Sequence, residues 1–463
     1  MTTREQTMNE LISINPATLQ EIGRVRVTST GELDQAIRDA DTAFATWKTD
    51  RGYRQGLLRA CALEMMRKSA QIVPLLVAEQ GKTATEASGE VWISAKAFAH
   101  ASRIYWADEE LGPDVAGRTA RVQRVPLGVV AAIVPWNFPV FLTIAKIAPA
   151  LAAGNTVVIK PAESVSLVVD KVVDILKAIL PEGVIQVVHG GPDIGKALVE
   201  HSLVRKVSFT GSTGVGKLIM KQAAEVITPV TLELGGNDPA IVLGDADLAY
   251  TAAYLANSAF FNAGQMCVAP KRAYVPADKV DEFCEIFAGL MAAKSVGDGL
   301  APGTTMGPLH NKAQLDFVQS LLDKAVSGGA TVVMGGGRGT ELPGYFLEPT
   351  LVRDLDDSAE LVALEQFGPV FPVVAYRDLD EVIATINAQE FGLGASVWGA
   401  DEAAATAVAE RIDAGSVWVN QHNALEVELP FGGVKSSGFG REGGAAGVED
   451  FLQIRVVSVK HTS

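Results

Sequence analysis

Between residues 129 and 232 the chain alternates five short apolar runs with four segments of helical period. The runs are Val129–Val134, Thr156–Ile159, Val184–Val188, Lys206–Phe209 and Pro229–Leu232. The segments between them are Phe141–Leu151, closed by Ala-Gly-Asn, a stretch capped by Ser164 and running to about Ile179, then Asp193–Glu200 and Gly214–Glu225. Short β-branched runs joined by helix-length crossovers predict a parallel sheet covered by helices. Such sheets bind ligands at the carboxyl ends of their strands, which limits where chemistry is to be sought.

A second alternation begins near Asp238. It predicts helices at Leu248–Phe260, Lys279–Lys294, Lys312–Val326, Leu379–Ala388 and Ala403–Ile412, and strands at Ala273–Val275, Thr331–Val333, Val370–Tyr376, Ala395–Val397 and Ser416–Val419. The fold class is therefore α/β with two α/β domains, which suits a length of 463 residues. The first 110 residues predict helices through Leu33–Trp47, Leu57–Met66 and Ile93–Tyr105, after extended pieces at Leu11–Ile14 and Ile22–Val27. The tail, Phe451–Lys460, is extended but has no local hairpin partner. An open strand edge seeks a partner, so the tail is expected to add to another subunit's sheet.

Charge narrows the partners. The chain has 39 basic and 54 acidic residues, a net charge of −15. That argues against nucleic acid or an anionic membrane as partner. Leu127–Ala145 is uncharged, but Pro135, Asn137 and Pro139 interrupt it and make a membrane span untenable. The N-terminus mixes both charge signs without an apolar run, unlike a signal peptide. Cys61, Cys267 and Cys284 are too few and scattered for a disulfide framework or zinc site, which fits a reducing, cytoplasmic setting. The six histidines show no ligand spacing, and no metal is expected.

Five constellations carry possible chemistry. Phe260-Phe-Asn-Ala-Gly-Gln-Met-Cys267 offers a thiol that is either a nucleophile or a buried apolar-type cysteine. Thr231-Leu-Glu233-Leu-Gly235-Gly236 puts a carboxylate at a strand end, either meeting a ligand or starting an exposed turn. Pro135-Trp-Asn137-Phe-Pro139 holds an amide that either donates to an oxyanion or caps a turn. Phe209-Thr-Gly211-Ser212-Thr-Gly214-Val-Gly216-Lys217 follows a strand and opens a helix, where amides suit a phosphate. It misses the P-loop pattern at Leu218. Val157-Val-Ile-Lys160-Pro-Ala-Glu163 ends a strand with a lysine and places a carboxylate that either binds ribose or serves a helix start.

In this order, the segments PWNFP, KPAE, FTGSTGVG, LELGG, FNAGQMC, EQFGPV and PFGGVKSSGFGRE resemble the aldehyde dehydrogenase superfamily across essentially the whole chain. The resemblance implies a Rossmann-like cofactor domain (1–118 and 131–236), a catalytic α/β domain (237–436) and small oligomerisation arms (119–130 and 447–463), forming a homodimer or homotetramer. It implies that Cys267 attacks an aldehyde, passing through a hemithioacetal and a thioester that water hydrolyses to a carboxylic acid. Glu233 would be the general base, Asn137 with the Cys267 N–H the oxyanion hole, and Lys146 a support for Glu233 through a water relay or else a surface lysine. Trp136, Lys160, Glu163, Gly211, Ser212, Gly214, Glu365 and Phe367 would hold NAD, with NADP less favoured.

The implied pocket consists of Phe138, Phe141, Leu142, Ala145, Phe261, Met266, Val268 and Phe431. These are apolar and include no arginine to clamp a carboxylate. A neutral aromatic or medium-chain aliphatic aldehyde is the expected substrate. A cationic aminoaldehyde comes second, because Glu426 and Glu428 stand near the expected mouth. A cysteine acyl hydrolase or transferase and a non-catalytic structural relative are the alternatives.

Overall fold

The computed structural model describes residues 10–114 and 117–461. The expectations for residues 1–9, 115–116 and 462–463, parts of the predicted cofactor domain and C-terminal arm, lie outside the described residues.

The first alternation forms one sheet. Its parallel strands run in the order Val230–Glu233, Val204–Thr210, Val129–Ile133, Thr156–Lys160 and Ile185–Val187, and Gly438–Phe439 adds an antiparallel edge. Valines and isoleucines on both faces are buried, against the helices Thr30–Trp47 and Pro192–Val199 on one side and Pro139–Ala153 and Ser166–Lys177 on the other. The helix Pro139–Ala153 starts at a proline, whose fixed φ suits a first turn. It ends at Gly154, whose φ of +102° favours glycine.

The second sheet has the order Thr331–Met334, Thr350–Leu355, Val370–Tyr376, Pro270–Pro276, Asp238–Val242, Gly394–Trp398 and Ser416–Val419, parallel except at the first strand. Strands Asp238–Val242 and Thr350–Leu355 and helix Ser69–Gln80 go beyond the sequence expectation. Ser164 does not cap the following helix. Its hydroxyl meets His310 Nε2 at 2.6 Å, and the Glu79 carboxylate caps instead, accepting from the Leu167 and Val168 amides at 3.0 and 2.7 Å.

The tail corrects an expectation. Leu452–Lys460 is not an orphan. It pairs antiparallel along its whole length with Arg118–Pro126 of the same chain, in a three-stranded sheet completed by Glu109–Leu111. Among the described residues the outer edge of Leu452–Lys460 has no neighbour in that sheet. Val129 and Val130, expected at the end of an arm, belong to the central strand of the first sheet. No helix among the described residues is long and apolar enough to cross a membrane.

Candidate active site

Cys267, Glu233 and Asn137 line one apolar cavity of about 400 Å³. Three segments bring them there. Glu233 ends a strand of the first sheet, Asn137 follows the strand Val129–Ile133, and Cys267 lies between the helix Leu248–Ala259 and the strand Pro270–Pro276. All eight expected pocket residues, Phe138, Phe141, Leu142, Ala145, Phe261, Met266, Val268 and Phe431, line the same cavity. Sequence reasoning missed one wall, where Trp92, Ile93, Ala97 and Ile104 come from the helix Ala84–Ala101 and the turn after it. Their helical spacing reads equally well as core packing.

The cavity lining includes the carboxylates Glu90, Glu233, Glu426 and Glu442 and no lysine or arginine among the described residues. Three of these carboxylates have lysine partners. Glu90 pairs with Lys82, Glu426 with Lys96 at 2.8 Å and Glu442 with Lys146 at 2.5 Å. Glu233 is 4% exposed and both of its oxygens lack a hydrogen-bond partner. An unpartnered buried carboxylate is costly, and burial raises its pKa well above the ordinary range. Glu442 pushes in the same direction, while Lys146 and Arg441 oppose it.

Lys146 is fully buried and therefore not a surface lysine. It has no direct bond to Glu233 among the described residues. Its Nζ donates to Thr210 Oγ1 at 2.6 Å and to Glu442 Oε1. Glu442, from the GRE end of the last motif, is a site residue that sequence reasoning passed over. Its partner is 296 positions away.

Cys267 is half-buried and lines the cavity. Burial pushes its pKa up to about 12, helped by Glu365, Asp238 and Glu233 and opposed by Lys271. A spontaneous thiolate is therefore scarce at neutral pH. The Asn137 side-chain amide donates to Gln265 O at 3.2 Å, so it meets the cysteine loop directly. Lys82 and Asn262 both donate to the Asn137 carbonyl, at 3.0 and 3.1 Å. Glu90 accepts from the Val140 and Phe141 amides, which caps the helix after Asn137.

The other expected residues ring the carboxyl ends of the first sheet. Lys160 is buried, and its Nζ lies 3.4 Å from Glu163 Oε1, whose side chain is half-exposed. Ser212 caps the helix Thr213–Glu225, next to Gly211 and Gly214, and a side chain at Gly214 would meet nothing within 4 Å. Trp136 stacks on His310 at 4.6 Å and meets Phe367 edge-on at 5.5 Å. Glu365 accepts from the Gly236 amide at 3.1 Å, and its pKa is raised to about 7 by burial. A Cβ at Gly235 would meet the Glu365 carboxylate, so a larger residue there would displace that side chain.

Cys267, Asn137 and Glu233, whose carboxylate has no partner among the described residues, share one apolar cavity beside the carboxyl ends of the first sheet's strands. Comparison with known proteins gives the family. The model of the aldehyde dehydrogenase family matches residues 2–457. The chain belongs to the aldehyde dehydrogenase family.

Among aldehyde dehydrogenases, the glutarate-semialdehyde dehydrogenase of Pseudomonas putida is 39% identical over 96% of this chain and 93% of its own. A solved Escherichia coli structure described as an NADP-dependent enzyme superposes with a TM-score of 0.94. It is 37% identical and covers 98% of this chain and 95% of its own. The NAD+ complex of betaine aldehyde dehydrogenase from Staphylococcus aureus also gives 0.94, at 31% identity, covering 98% of this chain and 92% of its own. The fold is thus that of an aldehyde dehydrogenase, an oxidoreductase family.

Proposed function

We propose that this aldehyde dehydrogenase oxidises a neutral, apolar aldehyde to the carboxylic acid, with NAD as acceptor. The supporting observation is that Glu233 alone among the four cavity carboxylates lacks a partner, and it shares a cavity with Cys267. A carboxylate kept unpaired beside a thiol is free to take and return protons.

In this reading, Cys267 Sγ bonds to the aldehyde carbon while its proton passes to Glu233. Concerted transfer is needed because the free thiol titrates far above neutrality. The carbonyl π pair moves to oxygen, where Asn137 Nδ2 and the Cys267 N–H receive it. After oxidation to the thioester, Glu233 gives up the thiol proton to solvent and, ionised again, removes a proton from water, which attacks the acyl carbon; the C–S bond breaks, the acid leaves and the Cys267 sulfur takes the proton back from Glu233. Phe138, Phe141, Leu142, Phe261, Met266, Val268 and Phe431 exclude bulk water and take up the apolar body of the substrate, and the small Ala145 leaves room in the channel.

The residues fit a nicotinamide dinucleotide. The amides of Ser212 and Gly214 suit the pyrophosphate, with the Gly211 amide donating to the Glu233 carbonyl at 3.0 Å and holding the turn beside them, and Lys160, Glu163 and Trp136 suit the adenosine half. Glu365 suits the second ribose, with Phe367 near the nicotinamide. When bound, the dinucleotide accepts the hydride. The Glu163 carboxylate would repel a 2′-phosphate, which favours NAD over NADP.

The unpaired outer edge of Leu452–Lys460 supports an oligomer in which that edge is covered by a second copy. The absence of disulfides among the described cysteines is compatible with the cytoplasmic setting expected from the sequence. A cysteine acyl hydrolase has less support. It needs a histidine paired with the thiol, and among the described residues no histidine hydrogen-bonds Cys267; His422 bonds Ser396 Oγ and Val268 O through its two nitrogens.

The deciding experiment mixes the protein with NAD and hexanal and follows NADH absorbance. Formation of hexanoate without coenzyme A supports the reading, and a strict requirement for coenzyme A refutes it.

A further inference from the structure

The cysteine loop is held in an unusual conformation. Asn262 and Ala263 both lie in the left-handed region, at φ +53°. Such strained backbone persists only when its surroundings over-determine it. Part of that restraint is visible in front of the loop. The Asn262 amide donates to Glu86 Oε1 at 2.7 Å, and its side chain donates to Asn137 O and Gln265 O.

Behind the loop stands Lys271, 2% exposed, on the strand Pro270–Pro276. Its Nζ donates to Gly264 O at 3.1 Å and to Met266 O at 2.7 Å, and it lies 5.0 Å from the centre of the Phe367 ring. Burial disfavours its ammonium, while Glu365, Asp238 and the Cys267 thiol favour it.

The Met266 carbonyl and the Cys267 N–H belong to one peptide unit. In a trans peptide they point to opposite sides of the chain. A bond that anchors Met266 O therefore fixes the direction of the Cys267 N–H. That N–H has no acceptor among the described residues. A buried amine or ammonium on the carbonyl also polarises the peptide and strengthens its N–H as a donor.

We propose that Lys271 is a positioning residue that aims and polarises the Met266–Cys267 peptide, so that the Cys267 N–H receives the oxyanion formed on thiol addition. This rests on Cys267 being the nucleophile. Lys271 itself contacts no reacting atom. It acts through the peptide, where the Sγ–C bond forms, the carbonyl π pair moves to oxygen and the thiol proton leaves to Glu233.

The test compares two reactions of the same sulfur. The NADH burst with hexanal passes through an oxyanion. Alkylation by iodoacetamide in the cofactor-free protein, read by mass spectrometry, is a displacement that forms none. In Lys271→Met the burst rate should fall at least about tenfold further than the alkylation rate, against roughly 10²–10³ for removing an oxyanion donor outright. KM for hexanal should stay within about twofold, because the carbonyl addition and not apolar binding is affected. Equal loss in both reactions overturns the proposal in favour of general loop disorder, and no loss in either overturns it too. Lys271→Gln, which keeps a shorter donor, is read by the same comparison if the methionine variant does not fold. A wild-type protein without a burst defeats the parent reading, whereas a normal wild type with an unimpaired variant defeats only the role of Lys271.

Discussion

Lys146 and Glu442 meet with Nζ 2.5 Å from Oε1, and the pair acts on Glu233 in opposite directions. The ammonium favours ionised Glu233, and the carboxylate disfavours it. Burial outweighs both and keeps the Glu233 pKa well above the ordinary range. The buried pair thus tunes the candidate base without bonding to it.

The sign of the pH dependence follows. Glu233 must be ionised to activate water, so kcat should rise with pH along a limb alkaline of the ordinary glutamate value of about 4.3. Lys146→Met removes the favouring cation and should move that limb to higher pH. Glu442→Gln removes the repelling charge and should move it lower. Steady-state pH profiles of the three proteins check this, and shifts of the same sign in both variants would contradict it.

Removing the base should slow both steps assigned to it. In Glu233→Gln the NADH burst should slow, because the thiol loses its proton acceptor, and steady turnover should fall roughly 10²–10⁴-fold, the usual contribution of a general base. Intact-protein mass spectrometry should find the acyl group on Cys267. A variant that turns over at the wild-type rate would remove Glu233 from the hydrolytic step.

The meeting of Glu233 and Asn137 was legible because Glu233 ends one strand of the first sheet and Asn137 follows another, and strand ends show in sequence. Cys267, Glu233 and Asn137 come from three segments, yet each is flanked by glycine or proline after an apolar run, and the cavity unites them. The unread parts lacked a local signal. Asp238–Val242 opens with Asp-Pro, which reads as a turn. Ser69–Gln80 contains Pro74, a helix breaker in most contexts. Leu452–Lys460 pairs with residues more than 300 positions earlier, so no hairpin pattern announces it. Glu442 and Lys271 are charged residues whose partners are backbone or distant side chains, and such burial is not visible in composition.

Cofactor choice should follow the carboxylate of Glu163. The kcat/KM with NAD should exceed that with NADP, because a 2′-phosphate would face Glu163 with only Lys160 to offset it. Glu163→Gln keeps the shape and removes the charge, and should narrow the ratio by about tenfold, one charge interaction of ~1.4 kcal/mol. A higher value with NADP in the wild type would reverse the assignment.

Stability should depend on pH through Glu79. Burial raises its pKa to about 7, against the hydrogen bonds from Ser13, Leu167 and Val168 that favour its ionised form. A carboxyl whose folded pKa lies above its unfolded value binds its proton more tightly when folded. Its contribution is therefore present at pH values below the unfolded pKa and is lost as pH rises through about 7. Between pH 5 and pH 8 the Tm of the wild type should fall more than that of Glu79→Gln. Equal slopes would mean that Glu79 titrates alike in both states.

Substrate charge is decided by what the channel lacks. Its lining has carboxylates but no lysine or arginine among the described residues, so an entering carboxylate would lose water without gaining a partner. The nearby cation Lys96 is already held, by Glu426 at 2.8 Å and Glu428 at 3.2 Å. The same pairing weakens the attraction of those glutamates for an ammonium, which ranks aminoaldehydes below neutral substrates. The expected order of kcat/KM is hexanal or benzaldehyde first, an aminoaldehyde next and succinate semialdehyde last. The double variant Glu426→Gln, Glu428→Gln removes two negative charges and frees Lys96. It should raise kcat/KM for succinate semialdehyde by about three- to tenfold, a modest gain because exposed charges interact weakly, and leave hexanal unchanged. That gain should shrink in high salt, since the groups are solvent-exposed and screened. If succinate semialdehyde is the best substrate of the wild type, the channel's charge does not set specificity and the neutral-aldehyde reading fails.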